Sequence, residues 1–174
     1  MTVLTILEVP DPGLRAVATP VDAIDDGVRA TLADMFETMY DARGIGLAAT
    51  QVAIEKRLVV IDLQEPEEED GEPVRKPLAF VNPELLWVSE ETSSYNEGCL
   101  SIPEQYAEVE RPIRCRVKWL DADGKDHEAE MGGLLSTCIQ HEIDHLNGVL
   151  FTDHISRLKR DMIMKRLAKA RKIG

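Results

Sequence analysis

His141, Glu142 and His145 stand in the run His-Glu-Ile-Asp-His. In a helix of about 3.6 residues per turn, positions i and i+4 share a face, so the two imidazoles can converge on one metal ion. Glu142 lies one position round, within reach of a water on that ion. Two ligands and a general base are the core of a metal-dependent hydrolase. The run leaves open a third ligand, the metal and the substrate.

Downstream of the run, third ligands are scarce. The pattern HExxHxxGxxH is met as far as Gly148 but places Phe151 where the last histidine belongs, and no Glu follows Glu142. Asp153 and His154 lie just past the helix stop and read as capping or surface groups. A zinc deaminase would pair HxE with CxxC, and the chain has no CxxC. Upstream, Cys99 lies in NEGCLSIP, a polar, glycine-containing stretch expected to be a turn presenting a thiolate. A Cys/His/His set with an open fourth position suits a catalytic metal. Cys115 and Cys138 fall in apolar patterns and read as small buried hydrophobes.

These groups need elements to position them. Residues 28–42 place Leu32, Met35, Phe36, Met39 and Tyr40 at i, i+3, i+4, i+7 and i+8, which predicts an amphipathic helix. GIGLAATQ (44–51) follows, where glycine permits a tight turn or close backbone approach. Strands are expected at 57–63, 78–81, 84–90, 113–120 and 126–131, with EPEEEDGEP (65–73) as an acidic hairpin tip and DADGK (121–125) as a turn. From Leu134 to Leu146 the pattern is helical, with Leu134, Cys138, His141 and His145 on one stripe and Gly148 as the stop. A basic helix over 155–172 should turn Ile155, Leu158 and Met162 toward the body. The expected fold is α+β in one domain over 1–174: antiparallel strands around a buried HExxH helix, with an N-terminal and a C-terminal helix.

At 174 residues, 44% apolar and 30% charged, the chain is long enough to bury a core. No stretch approaches the roughly 20 apolar residues of a membrane span. MTVLTILEVPDPGLR has no basic segment, long apolar run or small-residue cleavage site, so no secretory leader is expected. Three sparse cysteines argue for a reducing compartment. The net charge of −12 is divided unevenly: 155–174 holds eight of the 20 Lys/Arg and one of the 32 Asp/Glu, leaving 12 basic and 31 acidic residues elsewhere, or −19. The body should repel DNA, while the tail suits an anionic partner.

GIGLAATQ (44–51), EGCLSIP (97–103) and QHEIDHLNGVLF (140–151) together resemble the peptide deformylases in order, spacing and wording. The resemblance covers nearly the whole chain, and the terminal helix is similar to that of the bacterial and organellar type I form. It implies removal of the N-formyl group from formyl-methionine at the start of new polypeptides, with release of formate, in the bacterial cytoplasm. It implies one divalent metal on Cys99, His141 and His145, with ferrous iron expected and zinc, nickel or cobalt suited to the same ligands. Glu142 matches the general base and acid. The Gln51 side-chain amide and the Leu100 backbone N–H match the groups that contact the formyl oxygen. Gly44, Ile45 and Gly46 match backbone that pairs with the peptide as an added strand. Ile45, Tyr95, Glu97, Leu134 and Cys138 match positions around the methionine side chain, whereas Thr137 stands where an aliphatic residue is expected. Arg111 has two readings, a residue that helps steer the peptide and, ahead of it, a surface arginine. The basic tail has two readings: a solvated helix face, or docking to ribosomal RNA and protein near the peptide exit. An endopeptidase of the HExxH type would need the missing downstream ligand. A non-catalytic metal module would need a fourth protein ligand or a broken base.

Overall fold

The structure, a computed structural model, describes residues 1–173. The first helix, α1 (Asp26–Asp41), begins where the Asp25 carboxylate accepts the Val28 N–H at 2.9 Å, capping an otherwise orphaned donor. Its periodic apolar residues bury Val28, Leu32, Met35 and Met39, while Phe36 and Tyr40 flank that face, half buried. Strands β1 (Gly46–Ala48), β2 (Leu58–Ile61) and β3 (Leu78–Val88) follow. Next come β4 (Thr92–Cys99), β5 (Ile102–Pro112), β6 (Cys115–Leu120) and β7 (Asp126–Met131). Helix α2 (Gly133–Leu146) carries the HExxH run, and α3 (Arg157–Ile173) closes the order.

Five strands form one antiparallel sheet in the order β1-β2-β3-β6-β7, and β4 pairs with β5 in a separate two-stranded sheet. Successive side chains of a strand point to opposite faces, and β2 shows the result. Val59 and Ile61 pack with Ile139, Ile143 and Leu146 of α2. Leu58 and Val60 pack with Leu32, Met35 and Met39 of α1. The sheet therefore lies between the two helices, which explains why β2 is apolar at every position and wholly buried. A third cluster joins Val9 and Leu14 to Ile102, Val109, Phe151, Ile163 and Leu167, fixing the hairpin and α3 to the N-terminal segment.

The α+β class and the buried HExxH helix match expectation; β1, β4 and β5 add three strands to the expected set, and four further local features differ. The strands expected at 78–81 and 84–90 are one strand, because Pro83 and Asn82 (φ +51) are absorbed as irregularities in its pairing with β6. The strand expected from 113 starts at Cys115. NEGCLSIP is not a free turn: Asn96–Cys99 ends β4, Ile102 opens β5, and only Leu100 and Ser101 turn between them. On α3, Ile163 and Leu167 are buried, whereas Leu158 is 72% and Met162 45% exposed. Ser156 caps this helix through Oγ to the Lys159 N–H at 3.2 Å, so Ile155 precedes the helix; Ile155 still packs on the third cluster as expected, while Leu158 and Met162 face outward. The acidic 65–73 segment does link paired strands, β2 and β3. Gly148 (φ +75) follows α2 as expected, and a Cβ there would lie 2.6 Å from the Arg15 carbonyl oxygen. Among the described residues no helix is long and apolar enough to cross a membrane.

Candidate metal centre

One face of α2 packs on the sheet and the other looks toward the hairpin, which brings Cys99 at the end of β4 over His141 and His145. Cys99 Sγ lies 3.3 Å from His145 Nε2, and that nitrogen lies 3.2 Å from His141 Nε2. All three donor atoms are within 4.8 Å of one another. His141 and His145 are buried. The His141 ring offers its other nitrogen, Nδ1, to Glu97 Oε1 at 2.9 Å. A carboxylate in that position holds the proton on Nδ1 and leaves the Nε2 lone pair free for a cation. The residues therefore fit a divalent ion: a soft thiolate and two imidazoles converge, with a carboxylate orienting one ring.

The charges around these donors are strongly coupled. Burial alone would depress His141, but Cys99, Glu97 and the Glu142 charge outweigh it and hold the imidazole well above its usual range. Burial, reinforced by the neighbouring His141, drives His145 well below it. Its Nδ1 is buried with no partner among the described residues. Burial pushes the Glu142 carboxyl up to about 7 against the pull of His141 and Arg111. Glu142 Oε2 is likewise buried without a partner, so one oxygen remains available to a small ligand.

Arg111 is a correction. It is 5% exposed rather than a surface residue. Its Nε and Nη2 donate to the two Glu97 oxygens at 2.6 and 3.0 Å, and Nη1 donates to Asp144 Oδ2 at 2.9 Å. Burial would raise both acids, yet the hydrogen bonds from His141 and Arg111 to Glu97 and from His154 and Arg111 to Asp144 hold them below their ordinary range. The chain of contacts ends at His154, whose Nε2 is 2.8 Å from Asp144 Oδ2. Asp153 does cap: it accepts the Leu150 N–H at 3.0 Å and pairs with Arg15 through both oxygens. Sequence reasoning gave Glu97 to a pocket wall. It does line the cavity, but its carboxylate is committed to Arg111 and His141.

A cavity of about 580 Å³ opens beside the three donors. Gly44, Ile45, Gly46, Gln51, Tyr95, Glu97, Cys99, Leu100, Leu134, Cys138, His141 and Glu142 all line it. Arg43, Tyr106 and Glu104 were not anticipated there; Tyr106, which pairs with Gly98, and Glu104 lie on β5, a strand the sequence pattern does not show. Gln51 is fixed in one orientation. Its Oε1 accepts the Ala48 N–H at 2.9 Å, so its Nε2 points to Ser101 Oγ (3.1 Å) and Cys99 Sγ (3.5 Å). Leu100 occupies the turn after Cys99, and its side chain covers Gly44. A Cβ at Gly46 would meet Cys138 Sγ at 2.9 Å and Glu142 Oε1 at 3.1 Å, so only glycine lets β1 run this close to α2. Cys115 is buried as expected, with Ser136 Oγ 3.4 Å from its sulfur.

A family model, Polypeptide deformylase, matches residues 3–161. The chain belongs to this family. A peptide deformylase of Rhizorhabdus wittichii is 63% identical over 172 residues, 99% of this chain and 97% of the relative. The crystal structure of peptide deformylase from Ehrlichia chaffeensis has a TM-score of 0.92 at 38% identity, covering 99% of this chain and 98% of that one. A structure of the Ehrlichia chaffeensis enzyme in complex with actinonin has a TM-score of 0.90 at 40% identity, covering 98% of both chains. Membership of the polypeptide deformylase family makes the chain a hydrolase and agrees with the α+β fold.

Proposed function

We propose that the chain, as one unit over 1–174, removes the N-formyl group from formyl-methionyl ends of nascent polypeptides and releases formate. The carrying observation is the convergence of Cys99, His141 and His145 beside Glu142 at a cavity of about 580 Å³. Cys99, His141 and His145 would hold one divalent ion, with ferrous iron as the native metal. When bound, that ion supplies Lewis acidity, which acidifies water and polarises a carbonyl oxygen.

The remaining steps belong to side chains. Glu142 takes a proton from the attacking water as its oxygen joins the formyl carbon, then passes the proton to the departing amine. In the metal-free protein burial holds this carboxyl near 7, in the range where a carboxyl both accepts and releases protons. The Gln51 Nε2, fixed by the Ala48 contact, and the Leu100 N–H stabilise negative charge on the formyl oxygen, where one well-placed donor is worth about 3 kcal/mol. The half-buried Gly44–Gly46 segment lines the cavity and leads into β1, the edge strand of the sheet, and there it aligns the peptide as an added strand. Leu134, Ile45 and Cys138 enclose the first side chain, and Tyr95 borders the entrance.

The test is formate release from a short N-formyl-methionyl peptide by protein purified without oxygen, with metal quantified in the same sample. Release that disappears in Cys99→Ala, together with about one equivalent of iron in the parent, is expected from a single-ion site. No release from iron-, nickel- and cobalt-loaded protein would overturn the reading. Action on nascent chains places the protein in the bacterial cytoplasm. The exposed basic face of α3 supports ribosome docking. Loss of low-salt co-sedimentation in a Lys165→Glu, Lys169→Glu variant is the expected result.

A further inference from the structure

Thr137 is buried to 8% exposure and lines the cavity. In α1, Thr31 and Thr38 turn their hydroxyls back onto the carbonyl four residues earlier, at 3.0 and 2.6 Å. Thr137 makes no such bond, nor any other side-chain hydrogen bond to a described residue. Its oxygen is also not among the sealed buried orphans, unlike that of Thr152. An unpaired hydroxyl that is not sealed, on a residue lining a cavity, opens into that cavity.

Its place along α2 gives this meaning. Thr137 precedes His141 by four residues and Leu134 precedes Thr137 by three, so all three share one face. On the deformylation reading, a formyl group held beside Glu142 puts the first side chain against this face, where Ile45, Leu134, Thr137 and Cys138 line the same cavity. One helical turn is about 5.4 Å, the reach of an unbranched side chain of three or four atoms. The hydroxyl therefore meets the far part of such a side chain, where the nearby polar groups are the weakly polar Cys138 thiol and the Glu97 carboxylate, which is committed to Arg111 and His141.

We propose that Thr137 is a specificity determinant: its hydroxyl donates to an acceptor carried on the δ atom of an unbranched first residue. The ligand class includes methionine sulfoxide and glutamine, and extends the substrate range beyond methionine, whose thioether is only a weak acceptor. This rests on the deformylation reading above.

The test compares the metal-loaded parent with Thr137→Val, which keeps the branched shape and removes the donor. The kcat/KM ratio for N-formyl-methionine-sulfoxide over N-formyl-norleucine peptides should fall about threefold to tenfold in the variant, the worth of one neutral hydrogen bond. The change should lie in KM. Calorimetry of the two deformylated product peptides should show the same loss of preference without turnover. A ratio unchanged within about twofold, less than one neutral hydrogen bond supplies, would overturn the proposal while leaving deformylation standing. Absence of formate from every peptide with the parent protein would instead remove the activity, and this proposal with it.

Discussion

Glu97 joins two groups that lie far apart in sequence: one oxygen faces His141 Nδ1 at 2.9 Å, and both oxygens are gripped by Arg111. The arrangement orients the His141 ring, one of three groups that could hold a metal, with a carboxylate that cannot itself swing away. Glu97→Ala should weaken metal retention about 10-fold to 100-fold, measured by competition with a chelator. Metal affinity equal to the parent's would show that the His141 ring is held by packing alone.

Removing the other partner has a different signature. Arg111→Ala strands Glu97 and Asp144 as buried or half-buried carboxylates. Breaking a buried ion pair from one side costs about 3–5 kcal/mol. Denaturant melts should show that loss, together with reduced metal retention. A change under 1 kcal/mol would mean that water replaces the guanidinium at little cost.

Glu142 makes a pH-dependent prediction in protein stripped of metal. Its carboxyl is raised from 4.5 in the unfolded chain to about 7 in the folded one by burial. Its contribution to folding is thus fully present below 4.5 and is lost as pH rises through about 7. The stability difference between parent and Glu142→Gln should shift against the parent across that window, by on the order of 3 kcal/mol. Urea melts at the two ends of the window measure it, and a flat difference would refute the burial effect. With metal restored, Glu142→Gln should retain the ion and lose most turnover.

Gly46→Ala brings a methyl against Cys138 Sγ and Glu142 Oε1. Overpacking of this kind costs about 1–3 kcal/mol, and displacement of Glu142 should lower kcat as well. Adding Cys138→Ala should recover melting temperature but not turnover. Recovery of both would show that the carboxylate is not displaced.

The third core cluster separates two readings of α3. Leu167→Ala should cost about 2–5 kcal/mol, since Leu167 is buried with Ile163 against Leu14 and Phe151. Leu158→Ala, at a position 72% exposed, should lie within about 0.5 kcal/mol of the parent. Thermal melts of the two variants check the contrast, which reverses if the helix packs in the phase that periodicity alone suggests.

That contrast also marks where sequence reading ran out. The i, i+4 spacing of His141 and His145 defines a helical face whatever surrounds it, so α2 was legible from local pattern. So was α1, whose apolar stripe and Asp25 cap agree. The β4–β5 hairpin was not, because TSSYNEGC is polar and largely exposed and lacks a buried face's alternation. Arg111 escaped for a different reason: Glu97 and Asp144 are distant in sequence, and only the fold encloses all three. On α3, two neighbouring apolar stripes compete, Leu158 with Met162 and Ile163 with Leu167, and only the third core cluster decides that the second is buried.

Cys99 arrives on a sheet that shares no backbone ladder with the strands beneath α2. An ion shared by Cys99 and the two histidines would therefore be a cross-link, closing the long loop between the end of β4 and the middle of α2. Closing a long loop removes freedom from the unfolded chain more than it adds contacts to the folded one. Chelation would reopen that loop at its weakest seam. Hairpin amides, including those of the cavity-lining Tyr95 and Tyr106, would exchange with solvent before those of β2 and β3. Metal supply would thereby set how firmly the cavity wall is held, as well as whether the site can react.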